Sequence, residues 1–263
     1  MTPQRWQSLF GLEGMVAVVT DSGRNSSVEV ATLLAEAGAT VVLADREGLS
    51  QEIAEQNRQL ITLPTDVESE EQVIALFDRV VATLGCPDIL VNCAAMNANS
   101  ALTDLPLDVW DEVQSVNLRS VFLCMREALR HMTTTKRGGR IVNVTTMGAR
   151  HPVLNGNAAY AASRSGVTGL TRSAALDYAS HGVLVNEVLP GAIPKKVRFH
   201  TMTQAALQAG QHLSGPGVDS ERRLPLGYGK AEDVAAAVLY LAGPCGSYLT
   251  GQSLCLDGGF LVS

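Results

Sequence analysis

The feature that most constrains this chain is a repeated alternation. Short runs that are apolar at consecutive positions are each followed by a stretch with an apolar helical stripe. Met15–Thr20, Thr40–Asp45, Leu60–Leu63, Asp88–Ala94, Gly139–Thr146, Val183–Leu189 and Ser253–Asp257 are the runs. Between them Ser26–Ala37, Leu49–Asn57, Glu70–Leu84, Val109–His131, Ala158–Ser180 and Ala231–Ala242 read as helices. A strand that is apolar on both sides must be covered on both sides, and a helix between strands supplies both cover and crossover. The expected architecture is therefore α/β, doubly wound and Rossmann-type, a seven-stranded parallel sheet with helices on both faces, in one domain over residues 1–263. In such a fold the ligand crevice lies at the carboxyl ends of the strands. Pro194–Leu226 breaks the rhythm and is too long for a simple connection, so 194–226 reads as a lid or substrate loop.

Charge and cysteine usage narrow the function classes. A net charge of −6 argues against nucleic acid or an anionic membrane as partner. No apolar run is long enough to span a bilayer, and the opening MTPQRWQSLFGLEG lacks the charged-then-apolar order of a signal peptide. Cys86, Cys93, Cys124, Cys245 and Cys255 are scattered without disulfide or metal spacing, which fits a reducing cytoplasm. His131, His151, His181, His200 and His212 likewise form no metal-ligand pattern, so no metal is expected. Inside the lid, Lys195, Lys196, Arg198, Arg222 and Arg223 face only Asp219 and Glu221. A basic lid on an acidic protein suits an anionic small molecule, such as a carboxylate or an acyl-CoA phosphate, or an acidic partner surface.

Several landmarks fall in a recognisable order: Leu12-x-Gly14 before the first run, Asp66-Val67, Asn92 and Ala94, Asn117, Tyr160, Asn186, Pro190-Gly191 and Asp257-Gly258-Gly259. Over nearly its whole length the chain resembles the short-chain dehydrogenase/reductase family. The resemblance implies a nicotinamide cofactor and a catalytic tetrad of Asn, Ser, Tyr and Lys. Carried over position by position, these become Asn117, Thr146, Tyr160 and Arg164. Tyr160 would be the acid/base, and Arg164, four residues on, shares its helix face. A guanidinium lowers a phenol's pKa in direction, but it is effectively never deprotonated and cannot relay a proton as an ammonium can. Thr146 keeps a hydroxyl where the family has Ser; the connection to Tyr160 is one residue longer than the family's, making Thr145 a second candidate. Apart from the family, Arg164 reads as an ion-pair partner for Asp177 or a neighbouring chain.

The dinucleotide loop departs most. Where the family has three glycines, this chain has Asp21, Asn25 and Ser27 around a single Gly23. Those glycines allow a tight turn and close backbone approach to pyrophosphate. Here each substituted position carries a Cβ, Asp21 brings a carboxylate, and Asp21, Ser22, Asn25 and Ser26 are all good helix caps that compete with phosphate for the orphan N–H groups. Asp45 at the end of the second run implies NAD rather than NADP, Asp66 implies an adenine contact, and Asn92 lines the crevice. Lys195 replaces the Thr that in the family holds the nicotinamide amide, and it cannot accept a hydrogen bond.

Because the departures converge on one function, the favoured expectation is a non-catalytic or weakly active subunit that binds no NAD itself and supports an active homologous partner. Heteromeric family members with one degenerate subunit include acyl-CoA-handling dehydrogenases. The family also pairs its two long helices across a dimer, so self-association into a dimer or tetramer is the other expectation. The alternative function is a working NAD-dependent alcohol or ketone oxidoreductase using Tyr160.

Overall fold

The computed structural model describes residues 3–21, 26–46, 60–135, 137–193, 199–218 and 223–263. In chain order its elements are α1 (Pro3–Phe10), β1 (Val16–Asp21), α2 (Ser26–Glu36), β2 (Thr40–Asp45), β3 (Leu60–Pro64), α3 (Glu70–Leu84) and β4 (Ile89–Asn92). Then come α4 (Leu107–Gln114), a π-turn (Ser115–Arg119), α5 (Ser120–Thr134), β5 (Gly139–Val144), α6 (Ala158–Tyr178), β6 (Val183–Pro190), α7 (Thr201–Gln208), α8 (Ala231–Ala242) and β7 (Ser253–Leu256).

The strands form one parallel sheet in the order β3-β2-β1-β4-β5-β6-β7. Its order reverses between β1 and β4, where Thr20 pairs with Asn92 and the crevice opens. Alternate strand residues feed two cores. Val18, Val42, Leu90, Ile141 and Val185 pack with Phe77, Val80, Leu129, Met132 and Val167 from α3, α5 and α6. Ala17, Val19, Val41, Leu43, Val91 and Val188 pack with Val30, Leu34, Val238 and Leu241 from α2 and α8. This two-sided burial is the doubly wound sheet expected from the runs.

Local chemistry fixes the ends. Ser69 accepts from the Gln72 N–H, Glu70 and Glu71 sit in the first turn of α3, and Gly85 ends that helix at φ 96°. At α8 the Asp233 carboxylate accepts from the Lys230 backbone N–H at 2.7 Å. Asp257 stops β7 because its carboxylate turns back to accept from the N–H groups of Gly259 and Leu261.

Three expectations need correction or fall outside the described residues. The stretch 109–131 is not one helix: it begins at Leu107, passes through the π-turn and ends at Thr134. Residues 3–10 form α1, whose Trp6 and Phe10 rings stack 4.3 Å apart. The irregular lid contains α7. The Leu49–Asn57 helix lies outside the described residues. No helix of the described residues is long and apolar enough to cross a membrane.

Candidate active site

Three elements bring the tetrad positions together at the carboxyl end of β4 and β5. Asn117 sits in the π-turn, completely buried. Its Oδ1 accepts from the Met96 N–H at 2.7 Å, and its Nδ2 donates to the Met96 carbonyl at 2.8 Å and to Ser163 Oγ at 3.0 Å. A side chain that bonds both backbone groups of one residue pins the helix to the segment leaving β4, which is the physical reason for the local widening there. Ser163 in turn donates to the Tyr160 carbonyl at 2.8 Å.

Arg164 is the largest fully buried side chain, 1% exposed. Nη2 donates to the Ala94 carbonyl at 2.7 Å and Nη1 to the Asn117 carbonyl at 3.4 Å. Its Nε has no hydrogen-bond partner among the described residues. The guanidinium carbon lies 5.5 Å from the Tyr160 ring centroid, within cation–π range. The ion pair expected with Asp177 gives way to these two backbone carbonyls. Tyr160 itself is half-buried.

The threonine ambiguity resolves geometrically. Thr145 is buried and its hydroxyl points to Glu187 Oε2 at 3.4 Å and the Val188 carbonyl at 3.3 Å. Thr146, half-buried, follows the strand and accepts from the Gly148 N–H at 3.1 Å, capping the turn Met147–Ala149. Thr145 therefore belongs to the interior, and Thr146 is the hydroxyl at the strand end. Behind them Glu187, fully buried on β6, accepts from Thr145, from Thr168 at 3.0 Å and from Ser253. The Asn186-Glu187 pair within an otherwise aliphatic strand is the sequence signal for this network, as is Asn143 in β5. Asn143 accepts from Asn92 Nδ2 at 2.8 Å and donates to Thr171 Oγ1 at 2.9 Å.

The nucleotide side is less open than the family pattern implies. Asp45 is 2% exposed and already has a partner within the protein. Asp66 is ion-paired with Arg46 at 2.7 Å and also accepts from the Glu68 N–H. Arg46 bonds Glu68 as well, at 2.6 Å, and these carboxylates raise its pKa. Asn92 Oδ1 is buried without a partner among the described residues. Ser22, Gly23 and Asn25 lie outside the described residues, as do Lys195, Lys196, Arg198, Asp219, Glu221 and Arg222. Asp21 closes β1, and Ser27 is buried in the first turn of α2 with a partner of its own. Ser26 does not cap α2 as expected: its Oγ is buried with no hydrogen-bond partner among the described residues. Arg223 is occupied too, stacked 4.2 Å over Phe260. At the other wall Gly191 allows close packing, since a Cβ there would lie 2.6 Å from Asp257 Cα.

A nicotinamide dinucleotide would need a cation facing its ribose and an acidic residue facing its adenosine diol. Here Arg164 is buried with two donors on backbone carbonyls, Asp45 has a partner within the protein, and Asp66 is paired with Arg46. Of the family's ribose contacts, the described residues keep the acid, Asp45, and carry the buried Arg164 in place of the lysine. Among them, no cluster of His, Cys, Asp or Glu could hold a metal ion.

The fold defines a Rossmann-type scaffold of oxidoreductases, with the tetrad positions near the strand ends. The chain belongs to the short-chain dehydrogenase/reductase family: a family model described as enoyl-(acyl carrier protein) reductase matches residues 27–261. The 2-dehydro-3-deoxy-D-gluconate 5-dehydrogenase of Escherichia coli is 32% identical, over 97% of this chain and 98% of that one. The cis-4-hydroxycyclohexanecarboxylate dehydrogenase of Sinomonas cyclohexanicum is 34% identical, over 93% and 96%. A crystal structure of a dehydrogenase/reductase from Sinorhizobium meliloti superposes with a TM-score of 0.85 at 30% identity, covering 98% of this chain and 99% of its own.

Proposed function

We propose that this chain is a short-chain dehydrogenase/reductase subunit that has lost, or nearly lost, hydride-transfer chemistry and supports an active homologous partner. The observation that carries the reading is Arg164. Its guanidinium is buried against the carbonyls of Ala94 and Asn117, so it neither faces a ribose nor offers an exchangeable site for a proton leaving Tyr160. The engaged Asp45 and Asp66 point the same way.

The partner's place is argued from α5 and α6. Phe122 and Leu176 are exposed there, and a groove of about 720 Å³ runs between Leu118, Phe122, Gly166, Gly169 and Leu170. A Cβ at Gly169 would meet nothing within 4 Å, so this glycine leaves room for a second helix rather than for this chain's own packing. A homologous subunit presenting the same helix pair fits that surface, in a hetero-oligomer or, for self-association, a dimer.

Calorimetry of the purified chain with NAD is expected to give binding no tighter than ~1 mM. Micromolar binding overturns the reading. Purification from the native source should bring down a sibling chain with an intact glycine-rich loop and Tyr-x-x-x-Lys; recovery of self-oligomers alone counts against it.

A second reading is favoured by Tyr160, which stays half-buried at the strand ends with a cation on its ring. In it the chain is an NAD-dependent alcohol or ketone oxidoreductase with Tyr160 as acid/base and Thr146 orienting the carbonyl. Tyr160→Phe must then abolish turnover.

A further inference from the structure

A cavity of about 740 Å³ lies where β7, the last strand of the sheet, meets α8. α8 packs on the face of the sheet opposite α6, so the cavity is separate from the helix that carries Tyr160 and Arg164. Its floor is apolar: Leu254 and Leu256 line it from β7, and Ile193 from just beyond β6.

One wall is α8. Positions i, i+3, i+4 and i+7 share a helix face, and here they are Asp233, Ala236, Ala237 and Tyr240, all of which line the cavity. Two small side chains between a carboxylate and a phenol leave a trough about 10 Å long, at a helical rise of roughly 1.5 Å per residue.

The other wall is the loop 226–229, which is tied down along its length. The Leu226 N–H donates to the Gly258 carbonyl at 3.1 Å, the Gly227 N–H to the Leu224 carbonyl at 2.8 Å, and the Gly229 N–H to the Ala192 carbonyl at 3.2 Å. Gly258 permits this approach: it has φ +62°, and a Cβ on it would lie 2.9 Å from the Gly227 carbonyl oxygen. A Cβ on Gly229 would lie 3.4 Å from both Asp233 Oδ2 and Ile193 Cγ1, which places the carboxylate between loop and floor. Tyr228 stands on this wall, 44% exposed, and Tyr240 on the other, 39% exposed.

The charge around the cavity has one sign. Among the described residues that line it none is Lys, Arg or His, and two are acids, Asp233 and Asp257. Asp257 spends both oxygens on the N–H groups of Gly259 and Leu261. Asp233 uses Oδ2 to accept from the Lys230 N–H at 2.7 Å, and no bond among the described residues engages its Oδ1. A carboxylate with aromatic rings and an apolar floor, and no base nearby, favours a positive charge carried on an apolar body.

We propose that this cavity is a binding site for a small organic cation, an alkyl- or arylammonium compound. Its charge sits at Asp233 and Tyr228, and its apolar part lies over Ala236, Ala237 and β7 toward Tyr240. The site goes beyond the subunit reading above and does not rest on it, because no tetrad position lines it.

The test is a ligand-observed NMR titration of the full chain without cofactor. It compares benzyltrimethylammonium, benzyl alcohol and phenylacetate, which share a phenylmethyl frame and differ in charge. The cation is expected to bind about tenfold more tightly than the alcohol, and phenylacetate more weakly than either. Asp233→Asn keeps an oxygen to accept from the Lys230 N–H and removes the charge. It should weaken the cation about tenfold and leave the alcohol unchanged. Ala236→Leu, at an exposed helix position, should fill the trough and weaken both. Tyr228→Leu should reproduce the selective loss of the cation if Asp233→Asn fails to fold. Alcohol binding as tight as the cation's overturns the proposal, as does unchanged cation binding in folded Asp233→Asn or the absence of saturable binding. Cation binding that appears only on dilution also overturns it, because a second copy of the chain then holds this face. No NAD enters, so failure here is separate from failure of the calorimetry with NAD.

Discussion

The two halves of the sheet hold themselves together by different means. In β1, β2 and β3 the interior is almost entirely aliphatic, and buried polar residues appear only at the crevice end, at Thr20 and Asp45. In β4, β5 and β6 buried polar side chains sit within the strands, and Asn92, Asn143, Thr145, Asn186 and Glu187 are tied to neighbouring elements. The aliphatic half tolerates change at its rim, since rim residues contribute little packing. The polar half does not, because each buried donor and acceptor fixes another. The departures from the family pattern fall in both halves: the dinucleotide loop has lost its glycines, and Thr146 and Arg164 stand for Ser and Lys, whereas Asn117 and Tyr160, braced through Met96 and Ser163, are kept.

This comparison breaks first on stability. Leu43→Ala, in the aliphatic half, should cost about 2–5 kcal/mol by the cavity it leaves. Asn143→Ala, in the polar half, should cost about 1–3 kcal/mol, because Asn92 Nδ2 then loses its acceptor inside the sheet. Denaturant unfolding of both measures the pair. The distinguishing outcome is coupling: Asn143→Ala combined with Thr171→Ala should be clearly non-additive, whereas Leu43→Ala combined with Asn143→Ala should add. Additivity in the first pair would dissolve the claim that the polar half acts as a network.

Dryness of the polar half is the next test. Cys124 lies on α5, whose neighbouring residue Met125 contacts Asn143 through its sulfur. Burial, with Glu127 adding, pushes the Cys124 thiol up to about 12 from an ordinary 9.0. A thiol that ionises later in the folded state than in the unfolded one favours folding fully below pH 9, and that contribution is lost as pH climbs from 9 to about 12. The slope is about 1.4 kcal/mol per pH unit for this one group. Chemical denaturation across that window should show it, and Cys124→Ala should flatten the curve. An unchanged slope would mean that water reaches α5 through the polar network.

How far these features are legible in the sequence follows the same division. Period and apolarity give β2, α3 and α8 to the residue and the other strands to within two residues at each end, because burial on two faces leaves a compositional trace. The π-turn leaves none: its cause is Asn117 reaching Met96, a contact across the fold. The segment Thr201–Gln208 is hidden because only Thr203 among its residues is buried, so it carries no apolar stripe. At the site, family register brings Asn117, Thr146, Tyr160 and Arg164 to one place, but it says nothing of where a guanidinium turns. Arg164 is identical in sequence whether it faces a ribose or two carbonyls; burial decides. The buried, unpaired amide oxygens of Asn97, Asn99 and Asn157 are likewise invisible, since unsatisfied atoms are a property of the assembled fold.

The smallest effect tests the rim of the nucleotide half. Arg46 pairs with Asp66 and Glu68 with side-chain exposures of 45%, 30% and 18%. Exposed pairs of this kind contribute about 1 kcal/mol or less, because solvent screens them and two long side chains lose freedom. Arg46→Ala should therefore lower stability by under ~1 kcal/mol, and the difference should fade in 1 M salt, where the screening length is about 3 Å. A loss of several kcal/mol that persists in salt would place these charges in a desolvated interior and erase the contrast between the halves. The same variant releases Asp66 from its ion pair without touching Arg164 or the loop. If Arg164 is what excludes the dinucleotide, Arg46→Ala must leave NAD binding as weak as before, and a gain to micromolar affinity would move the cause of exclusion from the buried guanidinium to this surface clasp.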